Sequence, residues 1–223
     1  MAYSIAIDGP AGAGKSTIAK KIAKELSYIY VDTGAMYRAM ALYFLREGIK
    51  PEEEEKINLK CQNADITIEY QNGEQQVILN GENVNGLIRT EEVGNMASAT
   101  SVNGNVRAKM VELQQQLAEK ADVIMDGRDI GTKVLPKAEL KIYLTASART
   151  RAERRYKELQ EKHFECDIET IEKDIIDRDY RDMHRENSPL MQAEDAVLVD
   201  SSHMNAEEVA EHIIKLFKER VKS

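Results

Sequence analysis

A glycine-rich segment near the amino terminus carries the residues whose types and spacing most clearly indicate chemistry. It runs from Gly9 to Ser16 as GPAGAGKS and fits the pattern G-x-x-x-x-G-K-[ST]. In this pattern the glycines let backbone N–H groups wrap phosphate oxygens, while the lysine reaches the β- and γ-phosphates and the hydroxyl can ligate Mg²⁺. We therefore predict that a nucleoside triphosphate binds here with Mg²⁺ on Ser16. The residues assigned to this nucleotide are Gly9, Pro10, Ala11, Gly12, Ala13, Gly14, Lys15, Ser16 and Thr17.

The elements that must position this loop follow from the apolar pattern of the whole chain. Helical patterns alternate with five short apolar runs that indicate buried strands, at residues 3–7, 28–31, 123–125, 140–144 and 196–199. This alternation predicts an α/β fold with a five-stranded parallel sheet and helices on both faces. The loop follows the first strand and precedes a helix, so it should lie at the sheet edge where ligands bind.

One segment interrupts this rhythm with the pattern of an antiparallel hairpin. Residues 66–70 and 77–79 alternate apolar and polar side chains on either side of Asn72-Gly73, and Asn80-Gly81 indicates a second tight turn. A half-polar hairpin does not suit a buried parallel sheet. We therefore predict a small inserted lobe over about residues 61–101, within a single domain that spans residues 1–223.

Composition narrows the class of function. The net charge of −8 disfavours a nucleic-acid binder. No apolar stretch reaches the length of about 18 residues that a membrane span needs, and no signal peptide is evident, so we expect a cytoplasmic protein without a membrane partner. Cys61 and Cys166 are expected to be free thiols. Absence of N-K-x-D and L-S-G-G-Q motifs favours a kinase over a nucleotide-hydrolysing switch, although both readings remain open.

Further polar segments could hold a second, anionic substrate. Residues 32–38 (DTGAMYR) follow the second predicted strand, and residues 126–131 (DGRDIG) follow the third. Arg178, Asp182 and Arg185 have the spacing of one stripe on a helix predicted over residues 168–185. A second arginine cluster lies on a helix that Ser147 can cap: its members are Arg151, Arg154 and Arg155. Taken singly, each cluster is also compatible with a solvated, salt-bridged surface.

Together these segments resemble the bacterial cytidylate kinase family along essentially the whole chain. The resemblance is carried by GPAGAGKST, DTGAMYR, GENVNGLIRTEEV, MDGRDIGT, RDYRDMHR, SPL and VLVDSS. It implies a three-layer P-loop kinase fold in which the hairpin lobe binds a nucleoside monophosphate. The arginine-rich segment, about residues 148–166, would be a short lid over ATP. The implied reaction is transfer of the γ-phosphoryl group of ATP to CMP or dCMP, with Mg²⁺ as cofactor and a monomer as the default state.

The resemblance also implies roles for individual residues. The CMP-binding set is Thr33, Arg38, Ser98, Arg107, Arg128, Asp129, Arg178, Asp182 and Arg185. Within it, the three arginines at positions 38, 128 and 185 would hold the acceptor phosphate, and Asp129 would accept from the exocyclic amine of cytosine. The catalytic set is Lys15, Arg128, Arg185 and Arg154, and the choice among the lid arginines stays open. Asp32 is a candidate for orienting metal-bound water. The alternatives are a P-loop kinase for another small anion, such as shikimate or a different nucleoside monophosphate, and the hydrolysing switch.

Overall fold

The computed structural model describes residues 2–71 and 74–222, which form two compact units. The first unit comprises Tyr3–Ile29 and residues 122–222, and the second comprises Tyr30–Ala121. The strands are β1 (Ser4–Asp8), β2 (Ile29–Asp32), β3 (Ile66–Gln71), β4 (Glu74–Leu79), β5 (Glu82–Asn83), β6 (Val123–Gly127), β7 (Leu140–Thr145) and β8 (Val197–Asp200). The helices are α1 (Lys15–Leu26), α2 (Thr33–Arg46), α3 (Glu54–Lys60), α4 (Glu91–Thr100), α5 (Gly104–Ala118), α6 (Ala148–Glu161), α7 (Ile168–His184) and α8 (Ala206–Arg220).

The predicted parallel sheet has the strand order β2-β6-β1-β7-β8, and its strands β6, β1, β7 and β8 lie in the first unit. β1 pairs in parallel with both β6 and β7, which explains why its apolar side chains, such as Ile5 and Ile7, are fully buried. α1 packs against α8 and β6. The five-stranded α/β prediction is confirmed, and the central position of β1 places the loop that follows it in the middle of the sheet edge.

Local sequence signals set several helix ends in this unit as predicted. The Ser147 hydroxyl accepts from the N–H of Thr150 at the start of α6. Asn205 and Glu208 form a reciprocal capping box at the start of α8. One interpretation was wrong: α7 ends at His184, and Arg185 is already extended with ψ 144°. The Asp182 carbonyl accepts from the N–H of Leu190, so the chain turns away there and Arg185 does not continue the helical stripe.

The second unit contains a three-stranded antiparallel sheet, β3-β4-β5, and the helices α2 to α5. β3 and β4 form the predicted hairpin, whose Asn72-Gly73 turn lies outside the described residues. The second predicted turn is confirmed, because Asn80 and Gly81 both have positive φ angles. α2 packs against α4 and β4, and its buried side chains include Met36 and Phe44.

The charge-rich residues before the hairpin also form a helix, α3, which the sequence interpretation did not include. It is only seven residues long and buries Ile57 alone, so it carries almost no amphipathic pattern. Among the described residues, no helix combines the length and the apolar character needed to cross a membrane.

Candidate active site

The glycines of the loop between β1 and α1 are required by its geometry. At Gly9, a Cβ atom would lie 1.9 Å from the carbonyl oxygen of Leu144 in β7, so any side chain would clash with backbone. Gly12 and Gly14 have φ angles of 76° and 86°, a region that favours glycine. Gly14 precedes the first residue of α1, and no side chain caps this helix end. Its N–H groups are therefore available for phosphate oxygens.

Lys15 is the first residue of α1 and is only 6% exposed. Its ammonium group donates to the carbonyl oxygen of Pro10 at 2.8 Å, within the same loop. Burial and the positive charge of Arg128 lower the pKa of Lys15 to about 7, although Asp126 and Asp8 act in the opposite direction. A phosphate placed beside this lysine would restore its ordinary charge.

Ser16, the predicted magnesium ligand, is held by a carboxylate of the neighbouring strand. Its hydroxyl donates to Oδ2 of Asp126 at 2.9 Å, and Asp126 is buried. Asp126 had no predicted role of its own. The available signal was its position at the end of β6, which pairs directly with β1.

Asp8, the last residue of β1, is a second buried carboxylate without a predicted role. It accepts from the N–H groups of Ile130 at 2.8 Å and Gly131 at 2.7 Å. These residues begin a single π-helical turn, Ile130–Val134, directly after the buried Asp129. Burial raises the pKa of Asp8 to about 6, and the two backbone hydrogen bonds oppose this shift. Asp8 thus fixes the turn that follows two predicted substrate-binding residues.

A cleft of about 350 Å³ opens beside the phosphate loop within the first unit. It is lined by Gly12, Gly14, Lys15, Ser16, Thr17, Arg151, Arg154, Arg155 and Glu158. All three predicted lid arginines therefore reach the predicted ATP-binding residues. The cleft combines four cationic side chains with the open end of a helix, which suits a polyphosphate.

The three arginines differ in what they contact. Arg151 is buried, and its contacts include the carbonyl oxygen of Ala11. Arg154 donates to the hydroxyl and the carbonyl oxygen of Ser201. Arg155 is half exposed and pairs with Glu158.

The predicted acceptor residues of the first unit form one ionic cluster around Asp182. Arg128 donates from Nε to Oδ2 of Asp182 at 2.8 Å, and Arg185 lies 3.9 Å from the other carboxylate oxygen. Burial alone would raise the pKa of Asp182, but the charges of Arg128, Arg178 and Arg185 hold it below its ordinary value. The Arg185 guanidinium also donates to the carbonyl oxygen of Ser188.

In the second unit, Asp32 organises the start of α2. Its carboxylate accepts from the N–H of Ala35 at 2.9 Å and so caps the helix, which begins at the buried Thr33. Two guanidinium groups approach its other carboxylate oxygen, that of Arg38 at 3.7 Å and that of Arg89 at 3.4 Å. Arg89 was part of a quoted motif but had no predicted role.

The remaining predicted residues of this unit lie on α4 and α5. Arg107 is 5% exposed, stacks 5.4 Å above the Tyr37 ring and donates to the Ser101 carbonyl oxygen. Ser98 is exposed, and its carbonyl oxygen accepts from the Ser101 hydroxyl. Thus the predicted acceptor residues fall into two groups, one in each unit.

The fold has a counterpart among solved structures. A gluconokinase from Sinorhizobium meliloti matches with a TM-score of 0.50 and 13% identity, over 97% of this chain and 92% of its own. At this identity the likeness concerns the fold alone. Together, that fold and the phosphate loop give the protein the architecture of a P-loop kinase.

Sequence comparison narrows the class. The family profile described as cytidylate kinase matches residues 5–219. A cytidylate kinase from Caldicellulosiruptor saccharolyticus is 53% identical over 96% of this chain and 95% of its own length. Another from Enterococcus faecalis is 49% identical over 97% and 96%. The chain belongs to the cytidylate kinase family of ATP-dependent phosphotransferases, which confirms the resemblance seen in its sequence motifs.

Proposed function

We propose that this enzyme transfers the γ-phosphoryl group of ATP to CMP or dCMP and forms CDP or dCDP. The observation that carries the proposal is the buried Lys15 in a glycine loop that opens onto an arginine-lined cleft. In a chain of this family, that arrangement provides a site for the triphosphate. The predicted acceptor residues then supply a second anion site.

Mg²⁺ fits the oxygen donors at the loop. The Ser16 hydroxyl and the Asp126 carboxylate lie 2.9 Å apart, and hard oxygen ligands are those that Mg²⁺ prefers. Ser16 would hold the ion, with Asp126 beside it. When bound, Mg²⁺ neutralises charge on the β- and γ-phosphates.

In the proposed mechanism the chain acts by positioning and by charge stabilisation. Lys15 follows the γ-phosphoryl charge as it moves to the acceptor. Arg154 and Arg155 cover the transferring phosphoryl group and exclude water. Arg151 differs from these two arginines, because its guanidinium group donates to the carbonyl oxygens of Ala146 and of Ala11 in the phosphate loop. The acceptor phosphate is already an anion at neutral pH, so its oxygen needs no strong general base.

The acceptor roles are carried over from the family motifs. Arg38, Arg128 and Arg185 hold the acceptor phosphate, since guanidinium groups offer paired donors to a dianion. Thr33 lies beside that phosphate, and Arg178 with Asp182 contacts the sugar.

The cytosine base would be recognised by three further residues: Ser98, Arg107 and Asp129. The carboxylate of Asp129 accepts from N4 of cytosine, where uracil presents an oxygen. We further propose that the enzyme works in the cytoplasm as a monomer. Its net charge of −8 also disfavours binding to nucleic acid.

The test is ADP formation from ATP and Mg²⁺ with CMP, dCMP, UMP, AMP, GMP or no acceptor. We expect turnover confined to CMP and dCMP. Comparable turnover with another monophosphate would refute the cytosine assignment and leave the kinase. ADP release that needs no acceptor would instead identify a nucleotide-hydrolysing switch.

A further inference from the structure

Arg151 is embedded in the first unit by three hydrogen bonds. Its Nε donates to the carbonyl oxygen of Ala146 at 2.9 Å, just after β7. One terminal nitrogen donates to the carbonyl oxygen of Ala11 at 3.0 Å, in the phosphate loop. The other donates to Oδ2 of Asp179 at 2.6 Å, on α7. One planar group therefore joins the loop, the sheet edge and the helix.

The aliphatic part of Arg151 also packs against the loop. A Cβ atom placed on Gly12 would lie 3.4 Å from Cβ of Arg151 and 3.8 Å from its Cγ. Gly12 directly follows Ala11, so two consecutive loop residues are in contact with this side chain. The guanidinium group and its stem thus restrain both the carbonyl direction and the position of the loop.

The ion pair with Asp179 is the buried part of this arrangement. The two side chains are only 5% and 13% exposed, and Oδ1 of Asp179 is a buried atom without a hydrogen-bond partner. A carboxylate is costly to bury, and the arginine compensates for that cost only in this geometry. Arg151 is therefore unavailable to follow a moving phosphoryl group.

We propose that Arg151 and Asp179 form a latch that holds the phosphate loop in the shape that binds a polyphosphate. Arg151 is a positioning residue in this role. The latch acts on nucleotide binding itself, so it goes beyond the proposed transfer to CMP and can be tested without an acceptor. α7 also carries Arg178 and Asp182, so the latch ties the loop to the helix of the predicted acceptor residues.

The sharpest test is Asp179→Asn, with binding of ATP and Mg²⁺ measured by calorimetry in the absence of any acceptor. The substitution removes a negative charge near an anion site, so simple electrostatics predicts tighter binding. The latch predicts weaker binding, by about tenfold, since the charged hydrogen bond that fixes Arg151 is lost. Unchanged or tighter ATP binding would overturn the proposal.

A second pair of variants separates geometry from charge. Arg151→Lys keeps the positive charge but cannot donate to three acceptors in a fixed plane. We expect it to weaken ATP binding about as much as Arg151→Met, roughly tenfold. If lysine restored the affinity, Arg151 would act as a charge and the latch would be wrong. Should Arg151→Met fail to fold, Asp179→Asn and Arg151→Lys still decide the question.

Arg149 provides the matched control. It also joins α6 to α7, through Glu172 at 3.1 Å, but its side chain is 51% exposed and its ion-pair partners, Glu153 and Glu172, lie outside the loop. Arg149→Met should leave ATP affinity within about twofold, because exposed ion pairs contribute little. An equal loss in Arg149→Met and Arg151→Met would mean that both act only by holding two helices together.

Discussion

The phosphate loop of the first unit and the start of α2 in the second unit both gather charged groups, but they hold them differently. Lys15 and Asp126 are no more than 6% exposed, and each has a hydrogen bond under 3 Å. Around Asp32, the side chain of Arg38 is 27% exposed and that of Arg89 is 65% exposed. Their closest approaches to the Asp32 carboxylate are 3.7 Å and 3.4 Å.

The charged groups at the phosphate loop and those around Asp32 differ in how freely they can move before substrates bind. Buried and hydrogen-bonded groups have few alternative positions, so the loop is arranged in advance for its ligand. More exposed side chains with longer ionic contacts exchange partners at little cost. We therefore expect substitutions at the loop to lower the rate of transfer, and substitutions around Asp32 to change mainly the affinity for the acceptor.

The largest effect should come from Lys15→Met. Transfer should fall by about a thousandfold or more, because the γ-phosphoryl charge loses its buried cation. The same change should raise the free energy of unfolding. The folded pKa of Lys15 is about 7 and its ordinary value is 10.5, so charging it in the folded protein is unfavourable.

Between those two pH values the unfolded chain holds a proton that the folded protein lacks, so wild-type stability rises with pH across this window. The stability gained by Lys15→Met should thus be greatest below pH 7 and shrink toward pH 10.5. Urea unfolding at pH 6 and pH 9 measures it. Lys24→Met, an exposed change on the same helix, should alter neither the rate of transfer nor the free energy of unfolding. A less stable Lys15→Met protein would argue against this account of burial.

Asp126→Asn should have the next largest effect. The amide can still accept from Ser16, but it lacks the charge that favours a divalent cation, so kcat/KM should fall about a hundredfold. The concentration of Mg²⁺ for half-maximal activity should rise. Asp122, directly before the same strand, accepts from the Tyr3 N–H, and Asp122→Asn serves as the control. A fall in activity with an unchanged Mg²⁺ requirement would count against a role beside the metal.

On the acceptor side, Arg38→Lys should raise KM for CMP about tenfold, because a lysine loses the paired donors to phosphate. Arg89→Lys should raise it by about threefold at most, since this residue is far more exposed. Neither should change KM for ATP by more than about twofold. Steady-state kinetics with each substrate varied in turn gives these values. Equal effects at Arg38 and Arg89 would show that side-chain exposure does not determine how much each contributes to acceptor binding.

The smallest effect is expected where the hairpin contacts β2. Oε1 of Gln75 accepts from the N–H of Asp32 at 2.8 Å, and the Tyr70 hydroxyl donates to the Tyr30 carbonyl oxygen. Gln75→Ala should cost about 1 kcal/mol of unfolding free energy and raise KM for CMP about twofold to threefold. Gln71→Ala, an exposed change in the same hairpin, should do neither. A change in KM for ATP without a change in KM for CMP would show that this hydrogen bond does not act on acceptor binding.

The sequence predicted those features whose signals are local. The loop pattern, the five strands, the hairpin and the caps at Ser147 and Asn205 each depend on a few neighbouring residues. Pairings between distant segments had no such signal. Asp126 meets Ser16 because β6 lies beside β1, a strand order that no local pattern specifies.

The lid arginines also show that a local pattern does not predict contacts with distant segments. Their spacing put Arg151, Arg154 and Arg155 on one side of a helix, and all three line the cleft. Spacing could not show that only Arg151 is buried, because that depends on its packing against Gly12. α3 was overlooked for a related reason: its one buried residue, Ile57, leaves no period to detect.

The contact between Gly9 and the Leu144 carbonyl has a consequence for genetic variation. A library that randomised codon 9 and selected for folded, active protein should return glycine alone, because even alanine would place an atom 1.9 Å from backbone oxygen. At codon 14 no protein atom lies within 4 Å, and the positive φ angle is what opposes a side chain in the fold. Asparagine should disturb folding least there, since it tolerates that backbone conformation better than most residues. Two glycines of one motif would thus differ in how freely evolution can replace them.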